Sequence, residues 1–106
     1  MSLDIRISQR KKVICPKCGE VAGHTEVRAA DSSGSRWYTP LERFGYYQRS
    51  DAMYDGYGKD MVLTREQADY MYQFVKKTDV YNQYEILGMI ASALYEGDDV
   101  VINADW

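Results

Sequence analysis

Cysteine, proline and histidine are scarce in this chain: two, two and one of them among 106 residues. Both cysteines fall in one turn, so no disulfide framework can staple the fold, and a reducing, cytoplasmic setting is the expectation. No apolar run approaches the ~20 residues that a membrane-spanning helix needs, and no membrane partner is expected. Met1-Ser2-Leu3-Asp4 has neither a basic leader nor an apolar segment, so nothing there marks the chain for secretion. Internal repeats, low-complexity tracts and Gly-rich phosphate loops are also missing. Asp51, Asp55, Asp60, Asp98 and Asp99 lack the alternating ligands, central glycine and closing Glu of a calcium loop, and are read as solvating and capping groups.

What is present is ordinary for a soluble domain: 45% hydrophobic and 27% charged residues. At this length one core is expected, so residues 1–106 are read as a single domain. Its parts are a sheet over 1–28, a loop-rich aromatic segment over 29–60, and a helical hairpin with a final strand over 61–106. The net charge of −3 hides a division. Residues 1–50 hold nine Lys/Arg against five acids, a net +4, whereas residues 51–106 hold four against eleven, a net −7. Such halves either attract one another within the fold or offer a basic surface to a polyanion.

Leu3-Asp4-Ile5-Arg6-Ile7 alternates as a half-buried strand does. Ser8-Gln9-Arg10 reads as a turn, Lys12 to Cys15 as a second short strand, and Glu20 to Arg28 as its antiparallel return, with Gly23 marking a bulge. Ala29 to Arg36, with Asp31-Ser32-Ser33-Gly34-Ser35, reads as an exposed loop. A short helical turn is expected near Leu41 to Phe44. Thr64 and Gln67 have the form of a capping box, and Ala68, Met71, Tyr72 and Val75 follow at helical spacing, which predicts a helix over 65–77. Asp79 or Asn82 can cap a second helix with Leu87, Ile90, Ala91 and Leu94 inward and Gly97 as its stop. Val100 to Ile102 reads as a closing strand, and Trp106 is expected to pack back on the body.

The one concentration of soft donor atoms is Cys15-Pro16-Lys17-Cys18-Gly19. This turn resembles the knuckle of zinc-ribbon and rubredoxin-like proteins, in which two thiolates face one metal. The resemblance implies zinc held by Cys15 and Cys18. Zinc ribbons bring a second knuckle from the same chain, and this chain has none. His24 is the tempting third ligand, but an extended segment over residues 19–24 carries it about 16 Å from the turn at ~3.3 Å per residue. The missing ligands lie on a second copy, on a partner, or nowhere. A dithiol exchange reading needs the first cysteine at a helix start, which Gly19 to Gly23 does not offer. A nucleophile pair of a cysteine with His24 has nothing to fix its proximity.

Between residues 37 and 57 lie Trp37, Tyr38, Phe44, Tyr46, Tyr47, Tyr54 and Tyr57. Arg36, Arg43 and Arg49 are interleaved. Rings and guanidinium groups suit a protein interface through Arg36, Trp37, Tyr38, Arg43, Tyr46, Tyr47 and Arg49. They also suit single-stranded nucleic acid, with stacking on bases and pairing to phosphates, or simply cover a small core. The cysteine turn, Trp37-Tyr38, Gly45-Tyr46-Tyr47, Tyr57-Gly58-Lys59-Asp60 and the helical pair together resemble small uncharacterised proteins encoded in phages and prophages of Gram-positive bacteria. That resemblance implies an accessory role with no assigned reaction. The expectation is an α+β domain, an antiparallel N-terminal sheet with a cysteine knuckle against a C-terminal helical hairpin. Its function is read as a non-enzymatic interaction module binding a protein partner or itself as a dimer. The rivals are a zinc-stabilised nucleic-acid-binding protein using residues 36–57 and a thiol-dependent enzyme.

Overall fold

Alternating apolar residues at Leu3, Ile5 and Ile7 launch a strand that does not stop where a turn was expected. In the computed structural model, which describes residues 3–47 and 58–105, β1 runs unbroken over Asp4–Ile14. Ser8 and Gln9 stay in the strand because each gains a hydrogen-bonded partner there, although Gln9 Oε1 is buried with none among the described residues. Ser8 Oγ donates to the Val101 carbonyl and accepts from Arg10 Nε, while Gln9 Nε2 donates to Asp98 Oδ2 at 2.7 Å. The polar run after Ala29 is likewise strand rather than loop: β2 covers Val21–Ser33. Ser32 can be buried because its hydroxyl donates to the Tyr81 carbonyl and accepts the Trp37 indole N–H at 3.0 Å.

The remaining elements are a 3₁₀ turn at Ser35–Trp37, α1 (Tyr38–Arg43), β3 (Met61–Val62), α2 (Arg65–Lys77), α3 (Gln83–Glu96) and β4 (Asp99–Asp105). The fold is α+β. Four strands lie in the order β2-β1-β4-β3 with every neighbour antiparallel. One face carries Ile5, Ile7, Ala30, Val100, Ile102 and Ala104, and helices α2 and α3 pack on it through Met71, Val75, Ile86, Met89, Ile90 and Ala93. Trp37 and Leu41, both fully buried, close the core beside the helices.

The capping box at Thr64 forms as expected. Thr64 Oγ1 accepts from the Gln67 N–H, and Gln67 Oε1 accepts from the Thr64 N–H. Gly97 ends α3 in the left-handed region at φ 75°, where a side chain would be strained. Asn82 precedes α3 at φ 62° without capping it; its Nδ2 donates instead to the Asp31 carbonyl at 2.7 Å and ties the helical joint to β2. The inward stripe of α3 is Ile86, Met89, Ile90 and Ala93, rotated from the expected one, with Ala91 exposed and Leu87 and Leu94 half-buried. This helix is apolar on nearly every side, so spacing alone does not fix its rotation. Tyr54, Asp51, Asp55 and Trp106, for which roles were expected, lie outside the described residues.

The opposed charges of the two halves meet within the fold. Arg10 pairs with Asp60 at 3.0 Å, Lys11 with Asp98 at 3.2 Å and Lys12 with Asp99 at 3.4 Å. Attraction between the basic and acidic halves is therefore built into the sheet and its margin.

Candidate functional site

β4 accompanies β1 only as far as the Arg10–Asp99 pair. Beyond it β1 and β2 continue alone as a two-stranded ribbon, Lys11 to Ile14 against Val21 to Thr25, ending in the cysteine turn. Four residue steps at ~3.4 Å plus the turn carry the tip roughly 15–20 Å past the sheet. The longest dimension of the molecule is 46 Å, and its radius of gyration of 14.0 Å exceeds the about 13 Å of a compact chain of this length. Two register shifts punctuate the pairing, leaving Val27 and Ala22 without opposite partners. The second lies beside Gly23, where a bulge was expected.

The ribbon is held at its base and bare at its end. Asp98 accepts from Gln9 and from Lys11, and these hydrogen bonds keep its carboxyl below the usual carboxylate range. Asp99 lies across from Lys12 and meets His24 Nε2 at 2.9 Å. Farther out, Val13, Ile14 and Val21 are 44%, 52% and 49% exposed. Ile14 and Val21 are cross-strand partners, so they form one apolar patch on one face beside the turn.

The turn itself is tightly made. The Cys15 N–H donates to the Glu20 carbonyl at 2.8 Å, and the Gly19 N–H donates to the Cys15 carbonyl at 2.9 Å. Gly19 sits at φ 73°, a conformation that only glycine adopts without strain. Both cysteines are free thiols; Cys18 is exposed and Cys15 partly so. The Cys18 N–H, the Cys18 S–H and the Lys17 N–H all donate to the Cys15 sulfur and lower its pKa, favouring the thiolate. The tip is thus a closed turn that carries two free thiols.

His24 does not join it. Its register partner is Lys12, three residues and roughly 10 Å short of Cys15 at ~3.3 Å per residue, and its ring is engaged by Asp99. Among the described residues no cluster of three or more His, Cys, Asp or Glu side chains could hold a metal ion. A cleft of about 310 Å³ opens at the ribbon's base beside Lys12, Thr64, Arg65, Asp98 and Asp99. Neither cysteine nor His24 lines it.

Of the residues expected at a contact face, Trp37 and Tyr46 are core, while Arg36 and Arg43 are exposed. Trp37 is fully buried and Tyr46 is 4% exposed; its hydroxyl donates to the Lys59 carbonyl and accepts the Ala104 N–H. Burial pushes the Tyr46 hydroxyl above the ordinary phenol value. Tyr38 and Tyr47 are half-buried and pack with their rings tilted by 50° and centroids 4.6 Å apart. Arg36 donates to the Asp79 carbonyl, and Arg43 lies 4.4 Å over the Tyr70 ring. Arg49 lies outside the described residues. The tyrosines that do face outward are Tyr81, Tyr84 and Tyr95, at 68%, 85% and 89% exposure on or beside α3. Tyr84 and Tyr95 fall on the spacing 84, 88, 91, 95, one face of that helix, which is the sequence signal for them; Tyr81 precedes the helix and carries no such signal.

No protein-family profile, curated protein or solved structure matches this chain. No helix among the described residues is long and apolar enough to cross a membrane.

Proposed function

We propose that this protein is an interaction module that assembles with a second copy of itself through the projecting ribbon. It would act as an accessory protein of the kind that the resemblance to phage-encoded chains implies. The observation that carries this reading is the Ile14–Val21 patch, about half exposed, at the end of an arm whose ion pairs to the body, Lys11–Asp98, Lys12–Asp99 and His24–Asp99, all lie at its base. A two-stranded ribbon standing alone is marginal in water, and apolar side chains at its end raise the gain from a covering partner.

A second copy is the occupant the tip fits best. Lys17 within the turn and Glu20 just after it are both exposed, and neither is in an ion pair among the described residues. A twofold axis can set each lysine against the other chain's glutamate, which gives the tip charge of both signs for pairing with itself as well as apolar area. The energetics set a bound. Full burial of a Val or Ile side chain contributes about 1.5–3 kcal/mol, so covering the exposed half of Ile14 and Val21 gains ~2 kcal/mol per arm and ~4 for two. Association costs about 4 kcal/mol or more. The apolar contact alone therefore makes a weak dimer, and a tight one needs a further contribution.

Solution mass across a concentration series, on protein as isolated, tests the reading. The unaltered chain is expected to associate, and Ile14→Glu with Val21→Glu is expected to yield a monomer with unchanged far-ultraviolet circular dichroism. Association unaffected by that double substitution sinks the arm as the contact element.

A further inference from the structure

We infer that two arm tips share one zinc ion, with Cys15 and Cys18 of each copy as its four ligands. The inference rests on the self-assembly reading and names what completes it. Four features of the tip carry it.

The first is the donor set. Cys15 and Cys18 are free, solvent-reaching thiols in one turn, which the hydrogen bond from the Gly19 N–H to the Cys15 carbonyl closes at 2.9 Å. Two thiolates on one tetrahedral zinc at Zn–S distances of ~2.3 Å stand ~3.8 Å apart, a separation within reach of two cysteines three positions apart in one closed turn. Soft thiolates in a tetrahedral set select zinc over hard, oxygen-seeking cations.

Incompleteness is the second. The pair supplies half of a structural zinc site, and no described side chain supplies the rest: His24 is engaged by Asp99 at the base of the arm, and no carboxylate joins the sulfurs in a metal-sized cluster. A twofold axis through the ion makes two halves into one whole without any new residue type.

Third, the backbone of the turn is fixed. The Cys15 N–H donates to the Glu20 carbonyl at 2.8 Å, and Gly19 at φ 73° lets the chain reverse behind the thiols. A divalent ion with four thiolates carries two negative charges, and Lys17, between the two ligands of each copy in sequence, adds positive charge to the tip. At neutral pH each protonated thiol releases its S–H proton to solvent as its sulfur binds.

Reach is the fourth. The arm holds the thiols roughly 15–20 Å clear of the sheet, so two tips meet before the two bodies collide. The same approach covers the Ile14–Val21 patches, whose burial alone leaves little surplus over the cost of association.

Titration of the reduced full-length chain with Co²⁺, followed by Zn²⁺ displacement, tests this with solution mass read in parallel. The expected result is one ion per two chains, the absorption of a tetrahedral four-thiolate Co²⁺ centre, and a dimer that a chelator returns toward monomer. Cys15→Ser and Cys18→Ala are each expected to lose uptake and metal-dependent mass, and His24→Ala to lose neither. No uptake, or one ion per chain without a change in mass, overturns the shared site. If association is abolished by Ile14→Glu with Val21→Glu yet ignores chelator and both cysteine variants, the arm interface stands and the shared ion falls. If the chain stays monomeric with and without zinc, both fall.

Discussion

β1 passes through two environments within eleven residues. From Asp4 to Arg10 it lies between β2 and β4 with helices over one face, and Ile5 and Ile7 are 2% and 0% exposed. From Lys11 to Ile14 it pairs with β2 alone, and Val13 and Ile14 are about half exposed. The two stretches share β2 as a partner but differ in that β4 bonds only the first, and in what lies beneath the sheet. A ladder of hydrogen bonds sets geometry, while apolar burial against a second layer sets which part resists opening.

Core truncation should expose that contrast most strongly. Trp37→Ala is expected to cost about 3–5 kcal/mol and Ile7→Ala about 2–5 kcal/mol of global stability, whereas Val13→Ala stays within about 0.5 kcal/mol. Denaturant midpoints measure all three; a Val13→Ala loss as large as that of Ile7→Ala would mean the arm belongs to the cooperative core. Amide hydrogen exchange refines the same point. Residues 11–14 and 21–25 are expected to exchange through local opening, far faster than residues 5–9, and equal protection would erase the distinction. Gly19→Val should cost about 1–2 kcal/mol at φ 73°, felt as faster exchange in the arm with an almost unmoved melting temperature.

Acid should loosen the arm's base before the core. The Gln9 and Lys11 hydrogen bonds hold Asp98 below the ordinary carboxylate value, and those from Asn103 and Arg10 do the same for Asp60. A depressed folded pKa means these contacts stabilise fully above about pH 4, the unfolded value, and lose that contribution as pH falls through the folded one. Asp98→Asn is expected to flatten this acid limb, as followed by exchange at Lys11 and Lys12. The smallest effect lies at the tip. Cys15 should titrate below the usual thiol value of about 8.5 and be alkylated ahead of Cys18 near neutral pH. Cys18→Ala removes one of its three donors and should move that titration upward.

Much of the fold was legible in residue patterns because local chemistry and tertiary packing agree there. Thr64 and Gln67 cap α2, Gly97 ends α3, and Leu3, Ile5 and Ile7 alternate into the core. Legibility failed where polar residues are buried with partners distant in sequence. Ser8 and Gln9 look like turn formers until Val101 and Asp98 arrive beside them, and Ser32 looks like loop until Trp37 and Tyr81 satisfy it. Of the candidate site, the two cysteines and their turn were readable from spacing. The arm that presents them was not, because its length follows from where β4 ends, and strand pairing partners are not written locally. The aromatic residues misled for a related reason. Trp37 and Tyr46 carry polar atoms that find buried partners, so their polarity was no guide to exposure.

The residue left unpaired at Val27 acts as a parity switch for β2. On its Ser33 side, even-numbered residues such as Ala30 and Ser32 point toward the helices, and Arg28 opposite Gln9 shares that face. With one extra residue inserted, Glu26 and His24 stand on the other face instead, opposite Arg10 and Lys12, where they meet Arg6 and Asp99. Paired without that irregularity, Val27 would stand opposite Arg10, and Glu26 and His24 would fall opposite Lys11 and Val13 on the helix side. A single inserted residue thus lets one strand serve an apolar interior and a charged anchor in succession.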